Sequence, residues 1–527
     1  MKLATIVGHV GGQCKGDSEE QQSWQDAPAK SSDIKQATLR HVEDVFSFLE
    51  QPDDERRFDE VERQLRALIF TLGRLFLAFF LARREEQSNK RELKPWTRRG
   101  FRPCERHRKH LNTFFGRVTF WRTYVRRGRS KGLFPLDRAL GLTADGFSLL
   151  TMARAARLSV LLSYEQVTAM FLYFLGWSPS KTSVEKAVLG FGEHTTAWFE
   201  AAPAPDGDGT VLVIQIDSKG TPTATEQELN KRRGKRQKKE RPLSPRHRGR
   251  AKRTRRGPKR RRKRGDKSKN ARCATIVVMY TLKKARDKDG EPVLLGPINK
   301  RVYASYSPKR HAFSIARREA DKRGFTAKSA RLIHILTDGD DDLERQVKEF
   351  FPEARHTLDI VHALEYFWEA GRFVFKEGSK ELATWVKKQE RLLYRGRAVQ
   401  AVLSLTRLNV PQRHRKRLGK IRNYLHKRIG MMNYHELRRE DLDVATGVIE
   451  GAVRHVIGKR FDSSGMRWIR ERAEALLQLR CIEINGDWDT FVSFVAERVE
   501  AEYGEENHAR RILRSTPVDL PTYGLVA

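Results

Sequence analysis

The spacing of apolar positions changes period several times along the chain. From Asp33 to Asn89 it is helical: Val42, Val45, Phe46, Phe48 and Leu49, then Leu65, Leu68, Ile69, Leu72, Leu75, Phe76, Phe79 and Phe80. This predicts two helices joined around Gln51-Pro52-Asp53-Asp54, a helix-breaking and capping sequence. The second is apolar around much of its girth, which suits either a buried core helix or a dimerisation helix. Between Lys94 and Arg127 the period falls to two. LNTFFGRVTFWRTYVRR alternates apolar and basic residues about Gly116 and predicts a β-hairpin. Its basic face is expected on phosphates or in solvent. Ser163–Phe199 is helical again, with SYEQVTAMFLYFLGW, a break at Ser178-Pro179-Ser180, then KTSVEKAVLGFGEHTTAWF. That is the helix-turn-helix plan, although any packed helix pair shares it. Lys181, Thr182 and Lys186 are the residues of its second helix placed to meet DNA.

After the Pro- and Gly-containing linker Ala201–Gly209 the chain enters Val211–Lys219, VLVIQIDSK, a buried strand that ends in Asp217. Core packing does not ask for an acid at the tip of an apolar strand, because the carboxylate loses solvation there without compensation. Arg331–Gly339, RLIHILTDG, repeats the pattern and delivers Asp338. Between and after these lie strands at Cys273–Leu282 and Lys300–Tyr306, and a helix Ser307–Gly324 opening with Ser307-Pro308 as cap and first-turn proline. A helix Asp341–Phe351 and a short strand His356–Leu358 follow. The order is three strands, helix, strand, helix, strand, helix, which predicts an α/β ribonuclease H-like core with acids on its first and fourth strands. Helices at Leu382–Tyr394, Gln400–Leu408 and Pro411–Gly430 form an α-helical insertion, either a packing lid or a surface that grips DNA. The expected regions are a helical 1–95, a hairpin and helix-turn-helix region 96–200, the first part of the core 205–374, the insertion 375–445, the closing part of the core 446–490 and a peripheral tail 491–527.

Charge changes the picture. The 527 residues carry a formal net charge of +38, which points to a polyanionic partner, with nucleic acid ahead of a membrane surface. In Lys231–Lys269, 23 Lys/Arg stand against Glu240 and Asp266, a net +21 that leaves +17 for all other residues together. With almost nothing apolar, this tract cannot bury a core and is expected to be disordered alone. Arg255, Arg256, Arg260, Arg261 and Arg262 would serve there as an electrostatic clamp that adds affinity without reading sequence. Cys14, Cys104, Cys273 and Cys481 are far apart with no CxxC, so neither a disulfide framework nor a cysteine zinc site is supported. The most apolar segment, Leu68–Leu81, is interrupted by Arg74 and reads as too short to span a bilayer. A soluble, cytoplasmic protein is expected.

Two acids at neighbouring strand ends are what divalent-metal chemistry on phosphates requires. Two-metal phosphoryl transfer also needs a third carboxylate from a later helix. Glu365 in DIVHALEYFWE and Glu450 in TGVIEGAVRHVIGKR both qualify on spacing. Arg454, His455, Lys459 and Arg460 follow Glu450 and suit a helix lying against DNA, which favours Glu450. Arg467 and Trp468 sit in the next loop, where Trp468 suits either base stacking or the core.

The set ILTDG, LDIVHALEYFW, GVIEGAVRHVIGKRF and SGMRW resembles the DDE transposases of bacterial insertion sequences, closest to the ISKra group within the Mutator-like clan. The likeness covers roughly Arg102 to Trp488. It implies that Asp217, Asp338 and Glu450 are the catalytic metal ligands for two Mg²⁺ or Mn²⁺ ions. Asp359 and His362 match the clan's C/D-x-x-H signature, which implies a place near the active site. It further implies double-stranded DNA as partner, a homo-oligomer on DNA, a nucleoid-associated bacterial protein and no membrane; an RNA partner stays open. The basic tract is longer than the family's usual segment, and the N-terminal cysteine cluster of some relatives is missing. Two rivals stand beside this reading: a non-catalytic nucleic-acid-binding protein and a purely hydrolytic ribonuclease H-like nuclease.

Overall fold

The computed structural model describes residues 30–51, 55–129, 132–142, 146–224, 226, 271–286, 288, 292–329, 331–462 and 468–502. The clamp arginines Arg255, Arg256, Arg260, Arg261 and Arg262 lie outside these residues, as does Arg467. The chain divides into two units, 1–191 with 489–527, and 192–488.

In the first unit the helices Ser31–Leu49 and Phe58–Arg91 precede a hairpin of β1 (Arg102–Thr113) and β2 (Gly116–Arg126). The long helix packs Ala78 and Leu81 against Leu111, Val118 and Phe120 of the hairpin. Its opposite stripe, Ile69, Phe76 and Phe80, stays exposed. By length and composition alone the stretch Phe58–Arg98 is long and apolar enough to cross a bilayer, with an 18-residue window of mean hydropathy 1.9. The sequence-based expectation that this region is too short is corrected: the helix runs well past the Leu68–Leu81 segment at both ends. The helices Tyr164–Leu175 and Lys181–Gly192 form the expected pair, the first opened by a capping box of Ser163 and Gln166. They share a core of Ala155, Val167, Phe171, Val184 and Ala187. The supposed tail contributes a helix, Trp488–Glu502, whose Phe491 is fully buried and meets Phe191 at 6.1 Å between ring centroids.

The second unit is built on a mixed sheet in the order β5-β4-β3-β6-β7. Its strands are β3 (Val211–Ala224), β4 (Ala271–Arg286), β5 (Pro292–Ser305), β6 (Leu332–Thr337) and β7 (Arg355–Leu358). A two-residue strand, β8 (Trp468–Ile469), pairs with the end of β3. β4 runs antiparallel to both neighbours, whereas β3, β6 and β7 are mutually parallel. Leu212, Ile214 and Ile216 face the helices Lys309–Lys322 and Asp341–Phe350, where Phe313, Ala316, Leu343 and Val347 meet them. Val213 and Gln215 face the other side and are equally buried. A strand covered on both faces reads as a continuous apolar run, which is why VLVIQI shows no alternation. Each such Leu or Ile contributes roughly 1.5–3 kcal/mol.

The element order is the expected one, with local corrections. β5 begins at Pro292 rather than Lys300 and carries Gly296-Pro297 through register irregularities opposite Met279–Lys283. Pro308 itself occupies the cap position of its helix, with no side-chain cap bond. After the short helix Gly447–Ala452 the backbone continues as a π-helix, Val453–Asp462, instead of an α-helix. The insertion docks through Arg428, which is 2% exposed and bonded to Glu344 and, at 2.6 Å, to Asp341.

Two buried histidines couple this sheet to pH. His334 Nε2 lies 3.1 Å from Thr357 Oγ1, and His356 Nε2 lies 2.9 Å from Thr337 Oγ1. Burial, then the positive charge of Arg355 and His356, pulls His334 down to about 3. Burial, then Lys348 and Arg428, pulls His356 down to about 4. Both values lie below the ordinary 6.5. The unfolded chain therefore takes up protons first, so this stability is present above about 6.5 and lost as pH falls through the folded values. Thermal unfolding scans from neutral pH down to about 4 should show a falling midpoint, with a shallower fall in His356→Gln.

Candidate active site

The register of β3 and β6 builds the site. Ile216 pairs with Thr337 in a parallel ladder, where β6 ends and delivers Asp338. The expected strand end at Asp217 is corrected, because β3 runs on to Ala224 with Asp217 still paired to Ile276 of β4. The two acids face each other on the side that carries Gln215. The Asp217 carboxylate accepts the Ser218 N–H at 2.6 Å. Asp338 Oδ1 accepts the Asp340 N–H at 3.0 Å, and its backbone carbonyl accepts the Tyr424 hydroxyl at 2.7 Å. Between them Gly339 has φ +75°, and a Cβ there would fall 2.2 Å from the Tyr424 Oη, so this turn is closed to larger residues. Burial raises the Asp338 carboxyl above the ordinary aspartate value, and the negative charges of Asp217 and Asp340 add to it. The Asp340 N–H and His362 oppose the shift. Two carboxylates held this way repel, and a cation between them relieves the repulsion.

The third acid is placed differently. The Ile449 N–H donates to Gln215 Oε1 at 3.0 Å, which lays the helix Gly447–Ala452 on the sheet face that carries Asp217. Glu450 on this helix is exposed. Among the described residues no three His, Cys, Asp or Glu side chains stand close enough to hold a metal ion. The structure thus brings Asp217 and Asp338 together and leaves Glu450 on the same face outside the pair. Glu365 is 65% exposed and pairs with His362 Nδ1 at 3.2 Å. On Asp338 His362 acts only through its electrostatic field.

Asp359, expected near the chemistry, is fully buried and works as a joint. Its Oδ1 accepts the Val361 N–H at 2.8 Å and caps the helix Ile360–Gly371, while Oδ2 accepts the Thr446 hydroxyl. It fastens the loop leading to Glu450 onto the end of β6.

Sequence reasoning missed the polar group that seats this loop. Gln215, fully buried, donates from Nε2 to the Tyr280 hydroxyl at 3.0 Å, and Tyr280 donates to Asp443. Burial, then the Asp443 charge, raises the Tyr280 pKa far above that of an ordinary tyrosine. The only signal was a glutamine inside an otherwise apolar strand.

The expected DNA-binding residues separate into exposed and buried ones. Lys181, Thr182 and Lys186 are exposed on their helix, with Lys181 in a loose pair with Glu165 at 3.2 Å. Arg454 and Lys459 are exposed as well. Arg460 is not: it is 3% exposed and lies 4.7 Å over the Trp468 ring, which also packs on Phe461 at 5.1 Å. Arg460 is buried and Trp468 half-buried, and the two pack on each other where the π-helix meets β8. The hairpin's basic face is also partly internal. Lys109 Nζ lies 3.0 Å from Asp137, and Arg122 donates to the same carboxylate. In comparisons with known proteins the chain matches no family model and no curated protein.

If Asp359 is the joint described, Asp359→Ala should cost about 2–4 kcal/mol in urea unfolding, about 1 from the cap and about 1–3 from the orphaned Thr446. Asp359→Asn, which can still cap, should cost less.

Proposed function

We propose that this chain is a DDE transposase of bacterial insertion sequences, a metal-dependent nuclease and strand transferase acting on double-stranded DNA as a homo-oligomer in the bacterial cytoplasm. The observation that carries the proposal is the Asp217–Asp338 pair, set side by side where β6 ends against the middle of β3, since ligands gather at strand ends in α/β sheets. The strand order β5-β4-β3-β6-β7, with one antiparallel member between β5 and β3, supports a ribonuclease H-like core. The net charge of +38 supports a polyanionic substrate.

The donor set fits Mg²⁺ or Mn²⁺: both side chains offer hard oxygen atoms, and among the described residues no lysine or arginine forms an ion pair with Asp338. Asp217 and Asp338 would hold the ion, with Glu450 as the third ligand. When bound, such ions activate the attacking water or 3′-hydroxyl and stabilise the leaving oxygen. The protein's own residues orient the DNA: Arg454 and Lys459 lie on the helix next to Glu450, and Lys181, Thr182 and Lys186 lie on the second helix of the helix-turn-helix. His362 opposes the rise that burial imposes on the Asp338 carboxyl. One observation favours the non-catalytic alternative, the exposure of Glu450 away from the aspartate pair.

The test is cleavage and joining of labelled DNA from the gene's own flanks. With Mg²⁺ or Mn²⁺ the wild type should give 3′-joined products, and chelation should abolish them. Asp217→Asn, Asp338→Asn and Glu450→Gln should each lower product formation by at least about a hundredfold while retaining DNA binding; Glu365→Gln should have little effect. Hydrolysis without joining would support the nuclease, and metal-independent binding without product would support the binder.

A further inference from the structure

The first unit holds a cavity of about 620 Å³ that has no part in the chemistry above. It lies within the size range of ligand sites. Its walls come from the long helix, the hairpin turn and the turn that enters Lys181–Gly192. Two of its features are costly unless something binds there. Arg74 is 8% exposed, yet among the described residues no carboxylate pairs with it. Its Nη2 donates to Thr71 Oγ1 at 2.8 Å, but its Nε is buried without a partner. Burial alone lowers its pKa, and no neighbouring acid holds it up. The second feature is Trp177, whose indole Nε1 is also buried without a partner. An uncompensated buried cation and an orphaned donor each cost free energy that an anionic, hydrogen-bond-accepting ligand would return.

The remaining lining narrows the ligand. Phe70, Phe115 and Phe174 border the cavity together with Trp177, and such an aromatic wall takes a planar ring. Arg66 and Arg117, both exposed, flank it. The positive end of the helix Lys181–Gly192 adjoins the Ser178–Ser180 turn that lines it. A planar ring carrying an anion, in a chain of net charge +38, is a nucleotide. We propose that this cavity binds one unpaired nucleotide of a DNA strand, with the base against the aromatic wall and the phosphate at Arg74. The proposal rests on the nucleic-acid reading above and deepens it. Stacking is tolerant of base identity, so the site selects for an unpaired strand rather than for a sequence. Taking a base out of the duplex costs a few kcal/mol, least where the strand is already open, so the site favours a frayed or single-stranded end.

The test uses the full-length protein without divalent metal and a duplex carrying 2-aminopurine in an unpaired overhang or in the paired stretch. The overhang probe should bind with a change in its fluorescence, and the paired probe should not. A free deoxynucleoside monophosphate should compete, whereas the deoxynucleoside and inorganic phosphate each alone should not. Arg74→Met should weaken overhang binding by roughly ten- to a hundredfold and Trp177→Phe by a few-fold, with affinity for fully paired DNA unchanged. Loss of an uncompensated charge should leave the melting temperature of Arg74→Met equal or higher, where a structural arginine would lower it. If Arg74→Met does not fold, Trp177→Phe decides alone. Equal binding of both probes, equal binding by wild type and variants, or competition by the deoxynucleoside alone would each overturn the proposal; binding of the free nucleotide but of no DNA strand would overturn its DNA source. Asp338→Asn should leave this binding intact, so the two readings fail separately.

Discussion

The constraint on which the second unit depends is the parallel register of β3 against β6. Backbone pairing, set by Val211–Ile216 and Leu332–Thr337, leaves no freedom in where the following residues emerge, and both are aspartates. Two like charges are therefore imposed on each other by the strongest element of the core. Apolar burial on both faces of β3 makes this tolerable, since the strand contributes far more stability than the repulsion removes. Local strain at a chemical site is maintained by the rigidity of what surrounds it.

Around that pair the fold spends its polar contacts on position. Tyr424 holds the Asp338 carbonyl from the helical insertion, and Gly339 provides the only backbone that lets it approach. Arg428 fixes the same insertion through Glu344 and Asp341. On the other side, Gln215 and Asp359 hold the chain that leads to Glu450. Four side chains from distant stretches thus frame two carboxylates, and the one cation among them, Arg428, is paired with Glu344 and Asp341.

Much of the fold was legible because its signals are local. The apolar runs before Asp217 and Asp338, the Gly116 turn and the Ser163 cap each announce an element within a few residues. The neighbouring strand acids were also legible, since an acid closing an apolar run has few structural excuses. What could not be read is what depends on contacts across the sequence. Gln215 looks like a flaw in a strand until Tyr280 and Ile449 are beside it. Lys109 and Arg122 look like a phosphate-binding face until Asp137 is seen between them. Arg460 and Trp468 look available until the π-helical turn brings one over the other. In each case a residue type with two common uses was settled by a partner far away in the chain.

The placement of the last helix has a consequence for synthesis. Trp488–Glu502 returns the chain to the unit that began near its start, and Phe491 meets Phe191 there. The sheet unit is thus a guest inserted into a host whose two pieces are separated by about three hundred residues of chain. On the ribosome the guest can fold while the host still waits for its final piece. The helix pair Tyr164–Leu175 and Lys181–Gly192, whose second member carries Phe191, receives that last packing surface only when translation is nearly complete. A product cut short there would keep its carboxylate pair but lack the surface on which Phe191 packs.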